Sequence, residues 1–392
     1  MSPVAPLLAD IAWPVTILIA WLAGECGYQL AKVPRISAYA LTGFVLAPAQ
    51  LGLLPQTQSA TVLLLAHLAF SLILFECGYR INLRWLLVNP WLAVSSLAES
   101  ALSFAAVYFL LLWFEQPMAN ALLLAALAIA SSPATMLRVV TESRSSGQAT
   151  ERLLHLATLN TVLAVFVFKI ILGWAVLQTS GNIWNAAYGS LVVLSASVLL
   201  GLAAGILAPA LLRLTKRASQ DSTLAFTLVL LCLVAATYAL KLSPVLAALT
   251  FGLCARHRRM VLNSSQRGFG ALGELFSILL FVYISSRLEW RQVLAGLGMG
   301  LAFVAVRQSA KILGISVFAH VSGIHWRKGL LIGLAGAPTP AFVILVLEQT
   351  SYLGSKLVDQ LVPLAAATLA LEIFGPWLVQ RALVWAHETP PV

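Results

Sequence analysis

The residues able to do chemistry in this chain are few, and they lie in apolar surroundings. The stretch TLNTVLAVFVFKIILGW (158–174) sets Asn160 and Thr161 side by side, with Lys169 two turns later and no acid among them. Arg307 and Lys311 stand one helical turn apart in another apolar run. Glu25, Glu76, Glu99, Glu274 and Glu372 are the acids within or at the edges of such runs, and Glu99 and Glu372 are the deeper two. A charge at membrane depth is costly, faces protein or a water-filled cavity, and marks an ion or proton pathway. The chemistry on offer is therefore reversible binding of an ion or proton, and the chain is not expected to be an enzyme. Cys26, Cys77, Cys232 and Cys254 have no ligand spacing, so neither a metal site nor a disulfide framework is expected, and no cofactor is implied.

Each polar residue also has a plainer reading. Asn160 and Thr161 can ligate a solute or hydrogen-bond between helices. Lys169 lies roughly 12 Å of helix from the outer end of its run and can snorkel to the interface. Arg307 and Lys311 can serve an ion or pair structurally with Glu99, Glu274 or Glu372. Glu99 and Glu372 can couple protons or form such pairs. Glu76 and Glu274 sit near run ends, where water can reach them. His67 is titratable, yet a lone histidine in a span also serves as a helix–helix hydrogen bonder.

The elements that must hold these residues follow from composition. Of 392 residues, 60% are hydrophobic and 10% charged, and the mean hydropathy is +0.92. Apolar runs of about 20 residues fill the chain, which makes it an all-α polytopic membrane protein. We read thirteen spans, at about 8–30, 36–54, 60–79, 90–113, 120–140, 151–177, 186–212, 222–240, 243–260, 269–286, 292–319, 328–348 and 357–385. The first is kept as a true span because it lacks the basic start of a cleaved signal peptide. With the N-terminus outside and the C-terminus cytoplasmic, 17 of the 24 basic residues fall inside, 4 fall outside and 3 lie within spans. That split obeys the positive-inside rule. It also accounts for the net charge of +10 without any nucleic-acid partner. The basic cluster CARHRRM (254–260) is explained by topology and anionic membrane lipid.

Two internal similarities stand at nearly one offset. ALT of 40–42 recurs at 248–250, and Pro133 in LAIASSPATMLRV recurs as Pro338 in LIGLAGAPTPAFVI. The division is an N-terminal span (1–35), a first repeat (36–177), connecting spans (178–242), a second and inverted repeat (243–385) and a tail (386–392). Inverted repeats build many secondary transporters. SSPAT (131–135) and APTP (337–340) interrupt matching spans, with Pro133, Pro338 and Pro340 as the breaks. Proline frees backbone groups near the midplane, and paired breaks point to a substrate site. Ser131, Ser132, Thr135 and Thr339 lie at these breaks and join Asn160, Thr161, Arg307 and Lys311 as candidate ligands.

VPRISAYALTGFVLAPAQLGLLP (33–55), LILFECGYRINLRWLLVNP (72–90), IASSPATMLRVVTESRSSGQATERLLHLATLNTV (129–162) and ALEIFGPWLVQRAL (370–383) carry a resemblance. In order and spacing they resemble the cation:proton antiporter superfamily, most closely its Kef-type and bacterial sodium/proton exchanger branch, over nearly the whole membrane domain. The resemblance implies a bacterial inner-membrane homodimer exchanging a monovalent cation for a proton. It also implies crossed broken helices in a core domain that moves like an elevator against a dimerisation domain. The nucleotide-binding domain of Kef-type channels is expected to be absent.

The departures fall on the ion site. Relatives carry Asp-Asp or Asn-Asp where this chain has Asn160-Thr161, and a glutamate near Ala341, while their lysine is kept as Lys311. A threonine does not ionise at physiological pH, so coupling would need a relocated acid, Glu99 or Glu372. Two other readings stay open: an anion or organic-anion carrier using Lys311 and Arg307, since helix N-termini at the breaks also favour negative charge, and a non-transporting membrane scaffold.

Overall fold

The computed structural model describes residues 4–55, 60–176, 183–214, 222–257, 269–338 and 365–390. Regular structure among the described residues is helical, without strands. In chain order the helices are α1 (Val4–Ala31), α2 (Arg35–Val45), α3 (Ala60–Arg80), α4 (Leu83–Val88), α5 (Pro90–Trp113), α6 (Met118–Ile129), α7 (Pro133–Glu142) and α8 (Gln148–Val176). They continue as α9 (Ile183–Leu214), α10 (Ser222–Ala239), α11 (Pro244–His257), α12 (Gly270–Ser286), α13 (Trp290–Ala295), α14 (Leu297–Val317), α15 (Trp326–Ala335) and α16 (Ala365–Trp385).

Among the described residues, seven segments are long and apolar enough to cross a membrane. Several expected runs are shorter as helices. The run 36–54 is helical only over Arg35–Val45 and 243–260 only over Pro244–His257 among the described residues, whereas 292–319 divides at Gly296 into α13 and α14, of which α14 is itself one of the seven. The later parts of 328–348 and the start of 357–385, with Thr339 and Pro340, lie outside the described residues. The short α4 was not anticipated.

The chain forms two compact units. One comprises residues 60–84 and 166–277. Its core is aromatic: Phe75 meets Phe251 at 4.7 Å, Phe226 at 5.5 Å and Phe269 at 5.7 Å between ring centroids. Within it Glu76, expected near water, is buried and pairs with Arg80 at 3.1 Å. Glu274 is exposed, and Lys169, half-buried, accepts at its carbonyl from Ser190 Oγ at 3.0 Å.

The other unit comprises residues 1–59, 85–165 and 278–392 and holds the break between α6 and α7. Two start signals shape the first break. Ser132 caps α7 by accepting from the Thr135 amide at 3.1 Å, and Pro133 occupies the first helical position, where no amide donor is needed. Close packing in this unit uses glycine, as is usual where lipid offers no hydrophobic drive between helices. A Cβ on Gly314 of α14 would meet the Glu99 Cα of α5 at 2.5 Å. One on Gly333 of α15 would meet the Ile312 Cα at 2.6 Å. These contacts bring α5, α14 and α15 together around the break.

The far end of α8 is held by the tail. The Glu388 carboxylate accepts from the amides of Ala149 and Thr150, both at 2.7 Å, from the Thr150 hydroxyl at 2.8 Å and from Lys328 at 3.2 Å. It thereby caps the positive N-terminus of α8. Burial pushes this carboxyl up, but the four hydrogen bonds outweigh it and hold the group below its ordinary value. A carboxyl depressed in the folded state stabilises above the usual carboxylate range and ceases to do so as pH falls through the lowered value. Thermal melts in detergent should therefore show wild type losing stability below about pH 5. Glu388→Gln should start lower at neutral pH and show a flatter acid limb; identical acid limbs would refute the clamp.

Candidate functional site

An interrupted helix and the end of another leave backbone groups without helical partners, and in a dry interior each must find another. Helix α6 ends at Ile129, Ala130 is extended (φ −59°, ψ 139°), and α7 resumes at Pro133. Helix α15 ends at Ala335 and is followed by non-helical Gly336–Pro338. The two segments touch. The Ser132 amide donates to the Pro338 carbonyl at 2.8 Å, and Ser131 Oγ donates to the Gly336 carbonyl at 3.4 Å.

Helix α14 supplies the rest. The Arg307 guanidinium donates to the carbonyls of Ala128 (3.0 Å), Ala130 (2.6 Å), Ala337 (2.8 Å) and Gly336 (3.5 Å). It thus sits between the C-terminal, partially negative ends of α6 and α15. A rigid fork of five donors can serve several carbonyls at once, whereas an ammonium cannot match that geometry. Lys311, one turn on, donates to the Ile129 carbonyl at 3.1 Å, to Ser131 Oγ at 3.0 Å and to Glu99 Oε1. Gln308 between them donates to the Gly333 carbonyl at 2.8 Å.

Glu99 is the acid at the centre. One carboxylate oxygen pairs with Lys311 and the other accepts from Asn160 Nδ2. Asn160 Oδ1 in turn accepts from Ser96 Oγ at 2.7 Å and Ser100 Oγ at 3.4 Å. Thr161 Oγ1 lies 2.8 Å from the carbonyls of both Ser131 and Ala157. Glu99, Thr161, Arg307 and Lys311 all have 0% exposure, and Asn160 has 2%.

The structure thus brings Ser131, Ser132, Asn160, Thr161, Arg307, Lys311, Pro133 and Pro338 to one place, with Glu99. Thr135 is there too, but its amide and hydroxyl are engaged by the Ser132 cap, the hydroxyls 2.9 Å apart. Glu372 is elsewhere: it accepts from Ser285 Oγ of α12 at 2.6 Å. Arg307 pairs with carbonyls, because two helix ends converge on it, and not with an acid as sequence reasoning allowed. Ser96, Ser100 and Gln308 were missed. The signal for the serines was present in SSLAESALS (95–103), whose small polar residues recur at helical spacing around Glu99. No cluster of His, Cys, Asp and Glu able to hold a metal occurs among the described residues.

Fold and site define a helical, multi-pass membrane transport protein with a buried ion pair where α6 breaks and α15 ends. The family described as "Sodium/hydrogen exchanger, transmembrane" matches residues 15–385, and the chain belongs to that family. Among solved structures it is similar to the sodium proton antiporter MjNhaP1 from Methanocaldococcus jannaschii. A structure of that protein at pH 8 matches with TM-score 0.67 and 15% identity, covering 97% of each chain. An electron-microscopy map of the same protein matches with TM-score 0.71 and 16% identity, covering 100% of each chain. At such identities the likeness is one of fold. No curated protein sequence matches.

Two outcomes test this geometry. Removing one partner of a buried ion pair leaves the other uncompensated and costs about 3–5 kcal/mol. Lys311→Met and Glu99→Gln should each destabilise the protein, and the double variant should lose clearly less than the sum; additive losses would show that the pair is not coupled. Gly314→Ala should destabilise by about 1–3 kcal/mol through overpacking against Glu99. Gly298→Ala, with nothing within 4 Å, should be neutral or stabilising by up to about 1 kcal/mol. Thermal unfolding of the two variants in one detergent makes the comparison.

Proposed function

We propose that this chain is a monovalent cation:proton antiporter in which Glu99, on α5, acts as the coupling acid that relatives carry at the position of Thr161. The observation behind this reading is the Glu99 carboxylate, buried between Lys311 and Asn160 beside the α6–α7 break. Exchange needs one anionic group that a cation and a protonated amine occupy in turn. In the resting arrangement the Lys311 ammonium neutralises Glu99. A cation taking the carboxylate leaves that ammonium unpaired in low dielectric, which drives release of its proton. One positive charge then replaces another. The oxygens of Asn160, Thr161, Ser131, Ser96 and Ser100 are the neutral ligands available as the cation loses water.

The anion-carrier reading is weaker, because Arg307 is engaged by four carbonyls and Lys311 by three acceptors, one of them an acid. The wider arrangement is part of the same proposal: thirteen spans, N-terminus outside a bacterial inner membrane, a homodimer, and inverted copies at 36–177 and 243–385. Supporting it are the 17-to-4 split of basic residues across the two sides and the hydrogen bond between Ser131 and Gly336, 205 residues apart, the same offset as Pro133 to Pro338.

Proteoliposomes carrying a pH-sensitive dye decide the matter. Wild type should show sodium- or potassium-driven proton flux that Glu99→Gln abolishes and Glu372→Gln leaves intact. Adding Thr161→Asp to Glu99→Gln should restore exchange by returning a carboxylate to the face of α8. Loss in Glu372→Gln alone would move coupling to that residue. Chloride or organic-anion flux abolished by Lys311→Ala would favour the anion carrier, and silence of wild type toward every ion would favour the scaffold.

A further inference from the structure

Away from the ion pair, α1, α2 and α16 enclose a cavity of about 540 Å³ lined by Ala23, Gly27, Ser37, Leu41, Phe374 and Trp377, among others. Its size falls within the roughly 300–1,000 Å³ of small-molecule sites, and its walls are almost wholly apolar. Leu41, Phe374 and Trp377 at its rim are 47%, 63% and 37% exposed, so it opens sideways on an apolar surface. Its polar side chains are Thr42, whose Oγ1 donates to the Ala38 carbonyl at 2.8 Å, and Ser37. Ser37 is 3% exposed, and its Oγ has no hydrogen-bond partner among the described residues. A buried hydroxyl without a partner is costly and calls for an acceptor.

Charge marks one end of this cavity. Phe44, near the end of α2, packs in a cluster with Ala366 and Leu369, near the start of α16. The two helices therefore run antiparallel, and the C-terminal half of α16 lies beside the start of α2. Exposed Lys32 precedes α2 and exposed Arg381 follows Trp377 on α16, so both stand at this end. Arg381 lies 5.6 Å from the Trp377 ring centroid. Arg35, by contrast, is spent on Glu25 (2.9 Å) and Glu142 (3.1 Å).

We propose that this cavity is a binding site for one acyl chain of an anionic phospholipid, with its head group between Lys32 and Arg381 and an ester carbonyl accepting from Ser37. An apolar slot at membrane depth takes hydrocarbon in preference to water, basic pockets between membrane helices select anionic head groups, and an aromatic ring belongs at the head-group level. The lipid would brace the start of α2. Through Arg35 and Glu142 that point is tied to the end of α7, the helix whose beginning forms the first break.

The test is delipidation in mild detergent, then native mass spectrometry and thermal melts with added phosphatidylglycerol or phosphatidylcholine. Wild type should retain phosphatidylglycerol and melt higher with it than with phosphatidylcholine. Lys32→Gln with Arg381→Gln should weaken retention of phosphatidylglycerol about fivefold per charge removed. Gly27→Leu should fill the cavity and abolish both retention and the melting shift, since a Cβ there meets only Ala38 Cβ, at an ordinary 3.9 Å. Ser37→Val serves the same end should Gly27→Leu not fold. Equal response of wild type to the two lipids, or undiminished retention in the filled variants, would overturn the proposal.

Discussion

The structure depends on what becomes of the backbone where α6 breaks before α7 and where α15 ends. In hydrocarbon or dry protein an unmet carbonyl costs several kcal/mol. Between them, Arg307 and Lys311 meet carbonyls from both places, at Ala128, Ile129, Ala130, Gly336 and Ala337. The same two cations would be intolerable at that depth without acceptors. Each problem solves the other: the breaks supply partial negative charge, and α14 supplies donors. Glu99 then balances the one charge that carbonyl dipoles leave over.

Position follows from backbone approach. Lys311 reaches Glu99 because α5 and α14 cross with nothing between them at Gly314, three residues further along the same face. A similar approach at Gly333 sets α15 against α14, which fixes where the end of α15 falls relative to Arg307. Small residues at these crossings are thus part of the site, though they touch no ion.

Much of this was legible in the sequence. Pro133 and Pro338 announce interruptions through chemistry that is local to the chain, and Ser132-Pro133 is a helix start in any context. Arg307, Lys311 and Glu99 stand out because charges in apolar runs are rare. What could not be read was pairing. Glu99 and Glu372 look alike as isolated acids, and only the crossing of α5 with α14 decides that one meets Lys311 while the other meets Ser285. The role of Arg307 was hidden for a related reason: its partners are carbonyls, which every residue possesses and no sequence pattern marks. The run 36–54, helical only over Arg35–Val45, was misjudged because hydropathy reports burial in an apolar phase and not backbone geometry.

A buried ion pair is a poor way to hold two helices together. Removing two charges from water costs more than their attraction returns unless every remaining lone pair and proton is met, and apolar side chains of equal volume often do as well or better. Here all three Lys311 protons have acceptors and each Glu99 oxygen has a donor, with Asn160, Ser131 and the Ile129 carbonyl completing the set, so the pair is tolerated. In the proposed exchange a cation would take the place of the Lys311 charge at Glu99 without the surroundings being rebuilt. Glu99 would keep Asn160, itself held by Ser96 and Ser100, and Lys311 would keep its carbonyl and hydroxyl as a neutral amine. An arrangement with those substitutes already in place fits exchange better than it fits cohesion, which is the physical ground for placing ion coupling at Glu99.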